Sequence, residues 1–215
     1  MRLRRSRQQG GDTIIEVLFA VAVFAMVAVG SLSIMNLGTA TAQRSLEISL
    51  VRQQIDAQAE ALRFIHQSYI AAYQKEGGGV PTGTAVEWQK MTNKTTGKGA
   101  DGASAFGAIT EQGTCPTSVP GQKPFILNAR KAAVGNSSPA MASPAGSSLP
   151  PFAQVFYNDD SSINQAYGIW IEAVPSTTIP GEPGFVDFHI RTCWDGPASS
   201  APMTLGTIVR LYEPR

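Results

Sequence analysis

Hydrophobic residues fall along this chain in three regimes. From Ile14 to Leu37 the sequence is apolar with one charged interruption, Glu16, and Val17 to Val29 reads VLFAVAVFAMVAV without a break. As a helix this stretch would extend about 36 Å, enough to cross a bilayer core of about 30 Å. Between residues 41 and 76 the pattern becomes periodic. Ile48, Val51, Ile55, Ala59, Leu62, Ile65, Tyr69 and Ala72 recur at steps of three or four, which defines one helical face. Polar residues fill the remainder, with Arg52 and Asp56 at supportive i,i+4 spacing. No proline occurs before Pro81, and Gly77-Gly78-Gly79 followed by Pro81 is a stop signal. The two halves therefore read as one helix from about Thr13 to Lys75, roughly 95 Å long.

The last third alternates on a shorter period. Phe152–Tyr157, Tyr167–Val174, Phe185–Thr192 and Thr204–Tyr212 are β-branched and aromatic, and turn clusters separate them: residues 158–162, 175–184 and 195–202. Four such runs on short connections predict an antiparallel meander whose apolar face covers the helical stripe. Between helix and strands, residues 77–150 are rich in Gly, Ser, Thr, Ala and Pro, with Ala85–Met91 and Lys123–Ala129 as short ordered candidates and Trp88 as a packing anchor. The expected class is α+β. Residues 1–11 form a basic segment ahead of the long helix at 12–76, with 14–37 membrane-spanning. Residues 77–150 connect, and 151–215 form a sheet of about four strands. A coiled-coil stalk is the competing reading of the second helical half.

Charge distribution orients this arrangement. The chain carries 17 Lys and Arg against 16 Asp and Glu, but Arg2, Arg4, Arg5 and Arg7 stand together at the start, leaving an acidic balance downstream. Positive charge stays on the cytoplasmic side of a membrane, so the N-terminus is expected inside and everything after about residue 40 outside. A cleaved secretory signal has a similar basic start but a shorter apolar region ending in a small-residue cleavage site. Two cysteines in an exported chain pair as a disulfide, so Cys115 and Cys193 are expected to be bonded. Closing so long a loop stabilises a fold by about 4–5 kcal/mol through chain entropy. Two distant cysteines and two scattered histidines do not give zinc spacing.

Two details exceed a plain anchor: Gly10-Gly11 before the apolar run and Glu16 just inside it. The stretch Gly11-Asp12-Thr13-Ile14-Ile15-Glu16-Val17-Leu18 resembles the prepilin processing motif of type IV pilins and type II secretion pseudopilins. The resemblance implies that a membrane peptidase cuts after Gly11, that Asp12 becomes the N-terminus and carries N-methylation, and that Glu16 is the family glutamate used in assembly. It implies other pilin subunits, the prepilin peptidase and the membrane as partners, and a final location in an extracellular filament. Asp12 departs from the Phe or Met with which the family usually begins. Glu16 also has a local reading, a capping box with Thr13. In the assembly reading a carboxylate in apolar surroundings takes the free amine of a neighbouring subunit as partner.

No catalytic constellation, cofactor fingerprint or metal set is expected. His66 and His189 sit in no nucleophile motif, and Asn158-Asp159-Asp160 reads as a turn in preference to a calcium loop. Basic residues after the leader are scattered, so nucleic acid is not an expected partner. Asn93-Lys94-Thr95 and Asn136-Ser137-Ser138 match the N-glycosylation pattern. A pseudopilin of a type II secretion or DNA-uptake system and a signal-anchored monomeric surface binding protein remain the alternatives to a pilus subunit.

Overall fold

The computed structural model describes residues 14–76, 82–94, 114–116, 123–135, 139–140, 152–176, 184–196 and 201–213. The chain divides into two compact units, residues 1–43 and 44–215. A single helix, α1 (Ile14–Glu76), contributes to both.

In the first unit α1 is apolar on all sides, and its side chains from Ile14 to Leu37 are almost all exposed. The stretch is long and apolar enough to cross a membrane. Its few polar groups turn back on the helix. Ser31 and Ser33 donate their hydroxyls to the carbonyls of Val27 and Val29, and Thr41 does the same to Leu37, at 2.8–3.0 Å. Such back-bonding satisfies a hydroxyl without water, as a lipid-facing helix requires.

In the second unit the periodic stripe does what its spacing predicts. Val51, Ile55, Ala59, Leu62 and Ile65 are buried, while Arg52, Asp56, Glu60 and Arg63 on the other side are exposed. The stripe packs on the chain's own sheet in one core cluster with Ile171, Val186, Phe188, Ile190, Val209 and Leu211. It is therefore not a coiled-coil seam.

The main sheet has three antiparallel strands, β5 (Ile169–Pro175), β6 (Phe185–Trp194) and β7 (Met203–Tyr212), in that order. Ile171 lies opposite Ile190, and Phe188 opposite Val209. The first expected strand is instead one arm of a separate hairpin, β3 (Gln154–Tyr157) with β4 (Ile163–Tyr167). The pattern in residues 163–167, INQAY, is too polar to read as a strand, since only Ala166 is fully buried there. The connection between β3 and β4 is a turn, with Ser161 at φ +61° and Asp160 Oδ1 accepting from both the amide and the hydroxyl of Ser162.

Within the connecting region, α2 (Ala85–Thr92) and β1 (Leu127–Asn128) fall in the two stretches expected to be ordered, while β2 (Ala133–Val134), which pairs with β1 in a hairpin, lies beyond the second. Trp88 is an anchor: it is buried between Tyr69 and Phe188, with ring centroids 5.7 Å away in each case. Phe125 forms a bridge to Ile171 that prolongs the main sheet past β5.

Two contacts fix the direction of β7. At its start, Met203 pairs with Trp194, whose indole N–H donates to Glu47 of α1 at 3.1 Å. At its end, the Tyr212 carbonyl lies 2.7 Å from Nε2 of His66. The strand thus runs in the same direction as the second half of α1.

Candidate functional site

The feature with the clearest functional potential is the apolar stretch of α1 that opens with Glu16. Glu16 is the one acid in the first helical turn and is exposed. A carboxylate at a helix start is favoured by the macrodipole and by the unpaired N–H groups there. Gly11, Asp12 and Thr13 lie outside the described residues, as do Thr95 of the first glycosylation pattern and residues 136–138, the whole of the second. Exposed Leu, Ile, Val and Phe on every side of a helix are unstable in water, so this stretch requires lipid or other apolar chains around it.

The second unit offers surfaces for display. Its core is closed by polar contacts that depend on single side chains. Gln58, on the buried face of α1, donates from Nε2 to the Leu127 carbonyl at 2.9 Å and accepts from the Leu127 amide at 3.0 Å. Glu87 of α2 accepts from the Val134 amide at 2.7 Å and pairs with Lys90 at 2.5 Å. An open groove of about 440 Å³ lies beside exposed Phe64, lined by Ala57, Ala61, Arg130 and Ala132.

The face of the main sheet turned away from α1 carries the charged residues of the β-strands. On its open side Arg210 pairs with both oxygens of Asp187, at 2.7 and 2.8 Å, and its guanidinium lies 4.0 Å over the Phe185 ring. Toward β5 the same face becomes buried. There Glu172 Oε1 accepts the Trp170 indole N–H at 2.6 Å and stands 3.4 Å from Arg191 Nε. Burial raises the Glu172 carboxyl pKa, opposed by the Trp170 hydrogen bond and the Arg191 charge. Burial likewise lowers the Arg191 pKa, opposed by Glu172. For both partners desolvation outweighs their mutual attraction. His189, directly across from Glu172, has its pKa lowered by burial and by Arg191, with Asp187 acting the other way.

Cys115 and Cys193 are bonded, with Cα atoms 5.6 Å apart. The histidines are not brought together: His66 holds the end of β7 and packs on Trp88 at 4.8 Å, while His189 lies on the far face. Among the described residues no group of three or more His, Cys, Asp or Glu could hold a metal ion. In the turn at 158–160, Asn158 and Asp160 are both engaged with Ser162.

The buried pairings of Gln58 with Leu127 and of Glu47 with Trp194 escape sequence reading, since nothing in the local pattern marks a polar residue on a mixed helix as buried. No protein-family model matches the chain, and no curated protein or solved structure matches it either.

Proposed function

We propose that the chain is a pilin-like structural subunit: after cleavage at Gly11 it polymerises through its apolar helix into a type IV pilus and displays the domain that follows. The observation that carries the reading is one helix with two kinds of surface. Its first part is apolar and exposed on all sides from Ile14 to Leu37, and its second part buries a stripe against the chain's own sheet. A subunit built this way keeps a folded domain while leaving the first stretch free to exchange lipid for neighbouring helices. The basic leader, Gly11 and Glu16 supply the processing and assembly elements in the positions that the resemblance requires. In this reading Glu16 takes the free amine of a neighbouring subunit, because a desolvated carboxylate needs a partner. No enzymatic activity is assigned.

Mass spectrometry of sheared surface filaments tests the proposal. The expected peptide begins at Asp12, and an intact N-terminus on the mature chain would sink the reading. A Glu16→Ala variant is expected to be processed but not incorporated into filaments. Processed chain absent from long fibres would move the assignment to a pseudopilin. An uncut, membrane-held monomer would move it to a signal-anchored surface protein.

A further inference from the structure

The groove beside Phe64 has an apolar floor and one charge that the domain does not answer. Ala57, Ala61 and Phe64 line it from α1, and Ala129 and Ala132 line it from the turn between β1 and β2. Phe64 is 54% exposed although its neighbour Ile65 is fully buried. Small side chains on such a floor let another chain approach closely. Of the two charged residues at the rim, Glu60 is already paired with Arg63 at 2.6 Å. Arg130 is exposed and, among the described residues, has no carboxylate partner. Its guanidinium instead lies 4.2 Å over the Tyr157 ring.

The position of Arg130 is set by its turn. Asn128 Oδ1 accepts from the amides of Arg130 and Lys131, both at 3.1 Å, and Ala132 turns the chain at φ +46°. Gln58 ties the same hairpin to α1 through Leu127, so both walls of the groove are held in place. Two other openings among the described residues differ from this one. Arg52 lines the first beside its own acid, Asp56. The second is polar, with Lys90 paired to Glu87 and with Asn128 and Ser162 in its wall.

An apolar groove with one unanswered cation suits an apolar chain that brings one anion, and the start of the long helix is such a chain. Asp12 stands three residues before Ile15, and Ile15 and Phe19 are exposed on one face of α1. Glu16 has the amine of a neighbour as its partner in the reading above, but the Asp12 carboxylate has none. Moved from the membrane surface into a packed fibre, it needs a cation.

We propose that the groove beside Phe64 takes the start of α1 of a second copy, with Ile15 and Phe19 against its alanines and the Asp12 carboxylate on Arg130. The inference rests on the pilin reading, since it needs Gly11 removed and the helix moved from lipid to other subunits. It gives a use to the acid that stands where the family begins with Phe or Met, and it leaves the Asp12 amine to Glu16.

Carbodiimide coupling of filaments built from an Arg130→Lys variant tests it. The variant keeps the cation and adds an amine that forms an amide, with loss of water, only to a carboxylate in contact with it. Mass spectrometry of sheared filaments is expected to find position 130 joined to Asp12. The same joined pair should be absent when the chain is coupled as a monomer in detergent micelles, and its presence there would overturn the inference. Arg130→Glu sets two like charges together and should lower incorporation into filaments at least about tenfold, with cleavage after Gly11 unchanged. Alkylation that finds Cys115 and Cys193 still bonded shows that this variant has folded. Filaments that begin at Asp12, lack the joined pair and take up Arg130→Glu normally would overturn the inference and leave the pilin reading standing. An uncut N-terminus would overturn both.

Discussion

The side-chain amide of Gln58 pairs with both backbone groups of Leu127, donating at 2.9 Å and accepting at 3.0 Å, and so acts as a piece of β-strand presented by a helix. The contact joins α1 to the β1–β2 hairpin across 69 residues of sequence, with Gln58 and Leu127 both buried. A Gln58→Leu change keeps the apolar packing but leaves an amide and a carbonyl without partners. The expected cost is about 2–6 kcal/mol, since each of the two unsatisfied buried groups costs about 1–3 kcal/mol. Urea unfolding of the detergent-solubilised chain measures it.

Glu47 and Trp194 make a similar tie at the other end of the buried face. Glu47→Ala strands a buried indole N–H, with an expected loss of about 1–3 kcal/mol. Glu47→Gln retains an acceptor and should recover most of it. Equal losses for the two variants would assign the effect to charge instead of to the hydrogen bond.

Gly168 occupies a left-handed conformation, and a Cβ there would collide with the Cys193 carbonyl. Gly168→Ala combines backbone strain of about 1–3 kcal/mol with that collision. The expected signature is slower formation of the Cys115–Cys193 bond during oxidative refolding, followed by thiol alkylation and mass spectrometry.

The two titrating groups that face each other across β5 and β6 should respond to pH in opposite directions. The pKa of His189 is lowered from 6.5 by burial and Arg191, against Asp187, so the folded domain favours the neutral ring. Its contribution to stability is present above pH 6.5 and is lost as pH falls through the folded pKa. The pKa of Glu172 is raised from 4.5, first by burial, so its contribution is fully present below 4.5 and is lost as pH rises through the folded pKa. NMR titration should place the His189 midpoint below 6.5 and the Glu172 midpoint above 4.5.

Features with a short repeat were legible in the sequence. The stripe through Val51, Ile55, Ala59, Leu62 and Ile65 announced both the helix and its buried face, because each residue's burial follows from its neighbours three and four positions away. The strands β5, β6 and β7 were legible through their β-branched and aromatic content. β4 was not, because INQAY carries too little apolar signal, and so the separate β3–β4 hairpin was missed. The polar residues that close the core were invisible for another reason. Gln58, Glu47 and Glu172 look like solvated positions until Leu127, Trp194 and Arg191 are brought to them by the fold. In the candidate site, the apolar character of residues 14–37 and the place of Glu16 in the first turn follow directly from sequence.

The direction of β7 has a consequence for association. It is an edge strand of ten residues, and Thr204, Gly206 and Ile208 along it are exposed, the kind of edge that recruits a second copy. A symmetric antiparallel match between two such edges would set the second halves of two α1 helices head to tail. In a fibre whose subunits all point the same way along those helices, that match is geometrically forbidden. Polarity of assembly would then guard the edge, and a fragment of residues 44–215, which keeps the core part of α1 but not the apolar stretch, would lose the guard and become prone to sticking to itself.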